Sequence, residues 1–285
     1  MSIVVTGATG HLGALIIDHL ISRGISAAEI TGVGRNADRL AALSATGVHT
    51  ATVDYSDAAS LATALAGAGA DTLVLVSGSE VGQRVQQHTN VINAAKAAGV
   101  TRIVYTSAPK ADTSALILAP EHKATEELIR ASGIPFTILR NGWYTENYQN
   151  VVAVARQSGT YLTSAGTGRV SSASRTDYAE AVAAVLTSPG HEGKTYELSG
   201  DVAWDGTEMA TALTTLLGQP VVFTSVSPEQ HAGILQNAGL DEGTVGFVVA
   251  LDGNIRDGLL DGTSGELATL IGRPTTPLLD GLHAA

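Results

Sequence analysis

The chain has 285 residues, 44% hydrophobic and 15% charged, enough to bury one sizeable α/β core with or without a small second lobe. Its formal net charge of −11 argues against general nucleic-acid binding, although a local basic patch for one phosphorylated cofactor is compatible with it. Without cysteine there is no disulfide, no thiolate nucleophile and no Cys-ligated zinc, in keeping with a cytoplasmic protein.

The first half alternates short apolar runs with longer amphipathic ones. Strands are expected near 3–6, 30–33, 48–53, 72–76, 102–106 and 136–140, and helices near 12–23, 37–43, 58–65, 85–98 and 121–131. The opening apolar run is too short for a signal peptide, and no segment reads as a membrane span. Strand–helix alternation of this kind implies a doubly wound parallel sheet covered on both faces, because parallel strands need crossovers. After Tyr148 the rhythm is irregular, and 159–168 is rich in glycine and threonine without periodicity. A helix near 177–186 and a strand near 195–199 follow. From 207 the pattern is mostly helical, with one strand at 221–225. The expected division is a nucleotide-binding domain over 1–149, extended by 176–200, and a smaller lobe from 150–175 and 201–285.

Between the first strand and helix lies Gly7-Ala8-Thr9-Gly10-His11-Leu12-Gly13. Glycines here allow a tight turn, close approach of a pyrophosphate and close helix–sheet packing, while the helix start offers amides to phosphates. In that context the turn predicts a bound dinucleotide. The second strand runs out into Gly34-Arg35-Asn36, where an NAD-preferring site usually carries a carboxylate. A guanidinium fork suits a 2′-phosphate, so the expected cofactor is NADPH. Asp54, after the third strand, either touches the adenine or belongs to a turn, with Asp57 capping the next helix. Ser77, Gly78 and Ser79, at the end of the fourth strand, are small enough for a ribose or nicotinamide to lie close to the backbone, or they belong to a surface loop.

No tyrosine (55, 105, 144, 148, 161, 178, 196) has lysine four residues on, so the Tyr-x-x-x-Lys proton relay of short-chain reductases is missing. In its place are His122 and Glu126 on one helix face, either a proton shuttle oriented by the carboxylate or a solvated first turn. No third ligand accompanies them, so no metal is expected. Residues 139–148 leave the last strand of the first half with Arg140, Asn141, Gly142, Trp143, Tyr144 and Tyr148. Their rings suit a planar acceptor or an anchor between lobes.

With Thr6–Leu12, Arg35-Asn36, Asp54-Tyr55, residues 79–84, 90–100, 105–107 and 111–114, Leu139–Tyr144 with 146–148, 191–194 with 196–198, and 270–272 and 274–276 near the C-terminus, the chain resembles the NmrA-like atypical short-chain dehydrogenases/reductases. Within them it is most similar to the type 2 bacterial NAD(P)H:quinone oxidoreductases. The resemblance runs along nearly the whole chain, with departures at Gly78, at 107–110 and over 244–258. It implies a Rossmann fold with a mostly helical C-terminal substrate lobe, and hydride transfer from NADPH, without flavin, to a small quinone held between the lobes. It also implies cofactor contacts from Gly7–Leu12, Arg35, Ser77–Ser79 and Arg140–Trp143, with the quinone near 141–148. His122, Tyr144 and Asn141 are the candidate catalytic residues. A monomer or homodimer is expected. A non-enzymatic NADP(H) sensor, and a reductase or isomerase of another carbonyl compound, are the alternatives.

Overall fold

The computed structural model describes residues 2–283. Its first strand is the short apolar run of the N-terminus, β1 (Ile3–Val5), buried throughout. Helix α1 (His11–Ser22) follows the glycine turn, then β2 (Ile30–Gly34), α2 (Ala37–Ser44), β3 (His49–Thr52), α3 (Ala58–Ala68) and β4 (Thr72–Leu75). The same alternation gives α4 (Arg84–Ala97), β5 (Arg102–Ser107), α5 (Ala119–Ser132) and β6 (Phe136–Asn141). Polar residues fix the starts of several helices. Asn36 accepts the Arg39 amide ahead of α2, and Asp57 accepts the amides of Ala59 and Ser60 ahead of α3, so Asp57 is the cap its position suggested.

Seven strands form one sheet in the order β3-β2-β1-β4-β5-β6-β8, where β8 is Thr195–Leu198. All pairings among β1 to β6 are parallel. The chain winds outward from β1 to β3, then returns to place β4 on the other side of β1. This reversal leaves a crevice beyond the carboxyl ends of β1 and β4, where open α/β sheets bind ligands. Val4, Leu73, Leu75, Ile103 and Ile138 pack one face of the sheet against Leu61, Leu65, Val91 and Ile129. Each such side chain, fully buried, is worth about 1.5–3 kcal/mol. Helix α1 packs against α7 (Arg175–Thr187), whose Ala179, Val182 and Ala183 are fully buried.

The chain divides into two compact units. The first holds residues 1–112, 118–141 and 175–197; the second holds 113–117, 142–174 and 198–285. The division after β6 falls at Asn141–Gly142, earlier than the expected boundary at 149.

The second unit contains α6 (Gln149–Ser158), β7 (Thr160–Thr163), α8 (Gly206–Leu217), β9 (Val222–Ser225), α9 (Pro228–Asn237), α10 (Glu242–Arg256), α11 (Glu266–Ile271) and α12 (Leu278–His283). Neither α6 nor β7 was expected. In α6 only Ala155 is buried, so it carries a thin apolar stripe. Strand β7 is defined by parallel pairing with the distant β9, a relation invisible in its four residues. Ser164, just after β7, is tied to α9 and α10. Oδ2 of Asp252 accepts from Thr163 Oγ1, Ser164 N and Ser164 Oγ, and lies 2.9 Å from Nδ1 of His231. These donors hold the Asp252 carboxyl below its ordinary pKa, outweighing the opposing effect of its burial. Among the described residues no helix is long and apolar enough to cross a membrane.

Candidate nucleotide site

The turn after β1 is shaped by Gly7 and Gly13. Gly7 has φ +61, and a Cβ on Gly13 would sit 2.2 Å from the Gly7 carbonyl oxygen. The Ala8 amide is spent on the Val33 carbonyl and that of Gly10 on Gly7. Ala14 N to Gly10 O is the bond that opens α1, so the amides of His11, Leu12 and Gly13 have no carbonyl one turn back. Gly10 provides no side-chain cap, and no acidic residue occupies the first turn. The positive end of α1 is therefore uncompensated.

This helix start opens onto a cleft of about 470 Å³ within the first unit. Its walls follow the strand ends: Gly7 and Thr9–Gly13 after β1, Gly34–Asn36 at β2, Val53–Tyr55 after β3 and Val76–Glu80 after β4. Eleven of the expected contacts line it: Gly7, Thr9, Gly10, His11, Leu12, Gly13, Arg35, Asp54, Ser77, Gly78 and Ser79. Ala8 is buried and does not. Asp54 also accepts the Ser56 amide at 2.8 Å, so its turn role is real as well.

The residues behind the cleft hold its floor rigid. Thr6 Oγ1 accepts from Val76 N at 3.0 Å, and Thr106 Oγ1 accepts from Ser77 N at 2.9 Å. Gly78 is held through both of its polar groups, its N–H donating to His88 Nε2 and its carbonyl accepting from Arg84 Nε at 2.8 Å. Arg84 is buried and paired with Glu121, whose other oxygen accepts the Gly82 amide. The loop from Ser77 to Gly82 is thus held by α4 and α5. Burial, with the Arg84 charge adding to it, pushes the pKa of His88 down to about 3, so the ring is neutral.

Other expected residues lie elsewhere. His122 is buried and its Nδ1 is 2.8 Å from the Tyr105 hydroxyl. Burial pushes its pKa down to about 3, with Arg84 and His88 acting in the same direction. Glu126 does not orient it: its oxygens accept from Arg140 Nε and Nη2 and from Ser107 Oγ. Arg140 does not line the cleft. It is buried, and its Nη1 reaches Asp112 and Glu197, each at 2.8 Å. Burial alone would lower its pKa, but hydrogen bonds to the three carboxylates outweigh this and raise it. Asn141 is buried beside it on β6 and also lies outside the cleft lining. Gly142, Trp143 and Tyr144 belong to the second unit, where Tyr144 bridges to Ala173.

Glu80, Gln87 and Arg175 also line the cleft wall, and no motif in the sequence marks them for it. Nor does any motif mark Arg39, whose Nη1 donates to the Thr9 carbonyl at 2.7 Å and braces the glycine turn. Among the described residues no three His, Cys, Asp or Glu side chains are grouped to hold a metal ion.

A parallel sheet with a reversal beside β1, and a cleft there joined by a glycine turn and a free helix start, define a dinucleotide-binding α/β protein. The chain belongs to the NAD(P)H-binding family, which matches residues 7–189. It is 46% identical to Quinone oxidoreductase 2 of Escherichia coli (strain K12), over 98% of this chain and 97% of that one. The crystal structure of NADPH-dependent quinone oxidoreductase QOR2 complexed with NADPH from Escherichia coli matches with a TM-score of 0.93 at 45% identity, covering 99% of both chains. Triphenylmethane reductase from Citrobacter sp., complexed with NADP(H), also matches with a TM-score of 0.93, at 38% identity and covering 100% of both chains.

Proposed function

We propose that this chain is an NADPH-dependent quinone oxidoreductase acting on a small quinone in the cytoplasm. One observation carries the reading: Arg35 and the first-turn amides of α1 face one cleft, in a chain similar along almost its whole length to a quinone reductase solved with NADPH. When bound, NADPH supplies the hydride. The chain's part is to bind and orient it. The α1 amides take the pyrophosphate, Arg35 takes the 2′-phosphate, and the clamped Ser77–Ser79 backbone supports the ribose and nicotinamide end.

The acceptor needs no strong acid, since the reduced quinone oxygens can take protons from water. His122 is neutral and engaged with Tyr105, which leaves Tyr144 as the candidate proton donor and Asn141 as a candidate orienting group. The test is stopped-flow NADPH oxidation without added flavin over a panel of quinones and one cationic triarylmethane dye. Turnover with quinones is expected, slowed in Tyr144→Phe without a change in NADPH affinity. Turnover with the dye alone moves the substrate class to triarylmethanes. NADPH binding with no turnover on any acceptor makes the protein a sensor and overturns the assignment.

A further inference from the structure

Arg35 reaches the cleft mouth from the end of β2, and Glu80 reaches it from the loop after β4, on the far side of β1. The two meet in an ion pair, Nη1 to Oε1, at 2.6 Å. Glu80 is held in place there, because its Oε2 accepts from Nε2 of Gln87, a buried residue of α4 that also lines the cleft. A carboxylate is thus fixed on the guanidinium that the cofactor reading assigns to the 2′-phosphate.

We infer that Glu80 is a built-in competitor for that phosphate, a latch across the cleft mouth that Arg35 must leave before it can grip NADPH. The inference rests on the NADPH reading of the cleft. A carboxylate and a phosphate cannot share one guanidinium without like charges lying side by side, so the phosphate has to displace Glu80. Displacement is feasible because the side chains are 62% and 42% exposed and such pairs are weak. A 2′-hydroxyl makes no such demand, and NADH leaves the latch closed. Glu80 therefore narrows the preference that Arg35 creates, and it hastens release of either form of the phosphorylated nucleotide.

The experiment compares 2′,5′-ADP with 5′-AMP by titration calorimetry on wild type, Glu80→Gln, Arg35→Ala and the double variant. Gln keeps the shape and removes the charge. We expect Glu80→Gln to tighten 2′,5′-ADP by about two- to fivefold and to leave 5′-AMP unchanged. The gain should vanish in the Arg35→Ala background. An equal gain for both ligands, no gain, or a gain that survives without Arg35 overturns the latch while the nucleotide reading stands. A wild type that binds neither 2′,5′-ADP nor NADPH overturns that reading and the latch with it.

Discussion

The backbone N–H of Gly78 donates to Nε2 of His88 at 3.0 Å, and this bond fixes the state of the ring. With Nε2 accepting, the ring proton sits on Nδ1, where it meets Thr125 Oγ1 at 3.0 Å. Thr125 in turn donates to the Glu121 carbonyl at 2.9 Å. A buried chain therefore runs from the cleft wall through α4 to α5. His88→Leu strands the Gly78 amide at a cost of about 1–3 kcal/mol. NADPH should bind about tenfold more weakly, a loss of about 1.4 kcal/mol, as read by fluorescence titration. His88→Gln, which offers an acceptor oxygen, should recover part of it. Unchanged affinity in His88→Leu means that the cleft does not depend on the clamp.

Acid should destabilise the protein through His88 and His122, both buried. Both have folded-state pKa values pushed down to about 3 by burial, against an unfolded value of about 6.5. Above that upper value neither state is protonated and they contribute no pH dependence. Below it the unfolded chain takes up protons that the folded one refuses. Stability then falls by about 1.4 kcal/mol per pH unit for each histidine, until the folded values are reached. Urea unfolding at pH 7, 6 and 5 measures the slope, and His122→Asn should halve it. A wild-type stability that is flat across that range contradicts the burial argument.

Arg140 should matter for folding more than for cofactor affinity. Arg140→Met leaves Glu126 buried with its two strongest donors gone, which costs about 3–5 kcal/mol. The double variant Arg140→Met/Glu126→Leu replaces the pair with apolar side chains and should regain most of it. Denaturant midpoints measure both. If Arg140→Met retains wild-type stability and loses NADPH binding, the residue touches the cofactor after all.

Two glycine substitutions should separate a turn that needs glycine from a helix that does not. Gly13→Ala drives a Cβ into the Gly7 carbonyl, and the turn has to shift, so loss of measurable NADPH binding and a lower melting temperature are expected. Gly67→Ala, in α3, meets nothing within 4 Å and should stabilise by up to about 1 kcal/mol. Calorimetry with and without NADPH reads both. Equal effects from the two contradict the steric reading of Gly13.

The alternation of strands and helices was legible because burial on both faces imposes apolar runs and stripes that local sequence must carry. Gly7, Gly13 and Arg35 were legible for a related reason: their jobs are fixed by distance from a strand end. Glu80 was not, since its partner is 45 residues away and nothing local distinguishes a latch from a solvated loop acid. His88 and Arg84 look like ordinary polar positions on an amphipathic helix until the fold buries them. His122 and Glu126 show the converse. Their spacing puts them on one face of α5, but stronger partners, Tyr105 and Arg140, claim each of them separately.

The first unit is assembled from three stretches of chain, and the last of these carries α7 and the outer strand β8. A fragment ending after β6 would hold the entire glycine turn and every strand from β1 to β6, yet it would strip from α1 the helix that covers it. The side of α1 that packs against α7, together with one edge of the sheet, would then meet water or another fragment. Truncation at that point should yield aggregates. A soluble minimal version of the nucleotide unit would require the 175–197 stretch to be spliced directly behind β6.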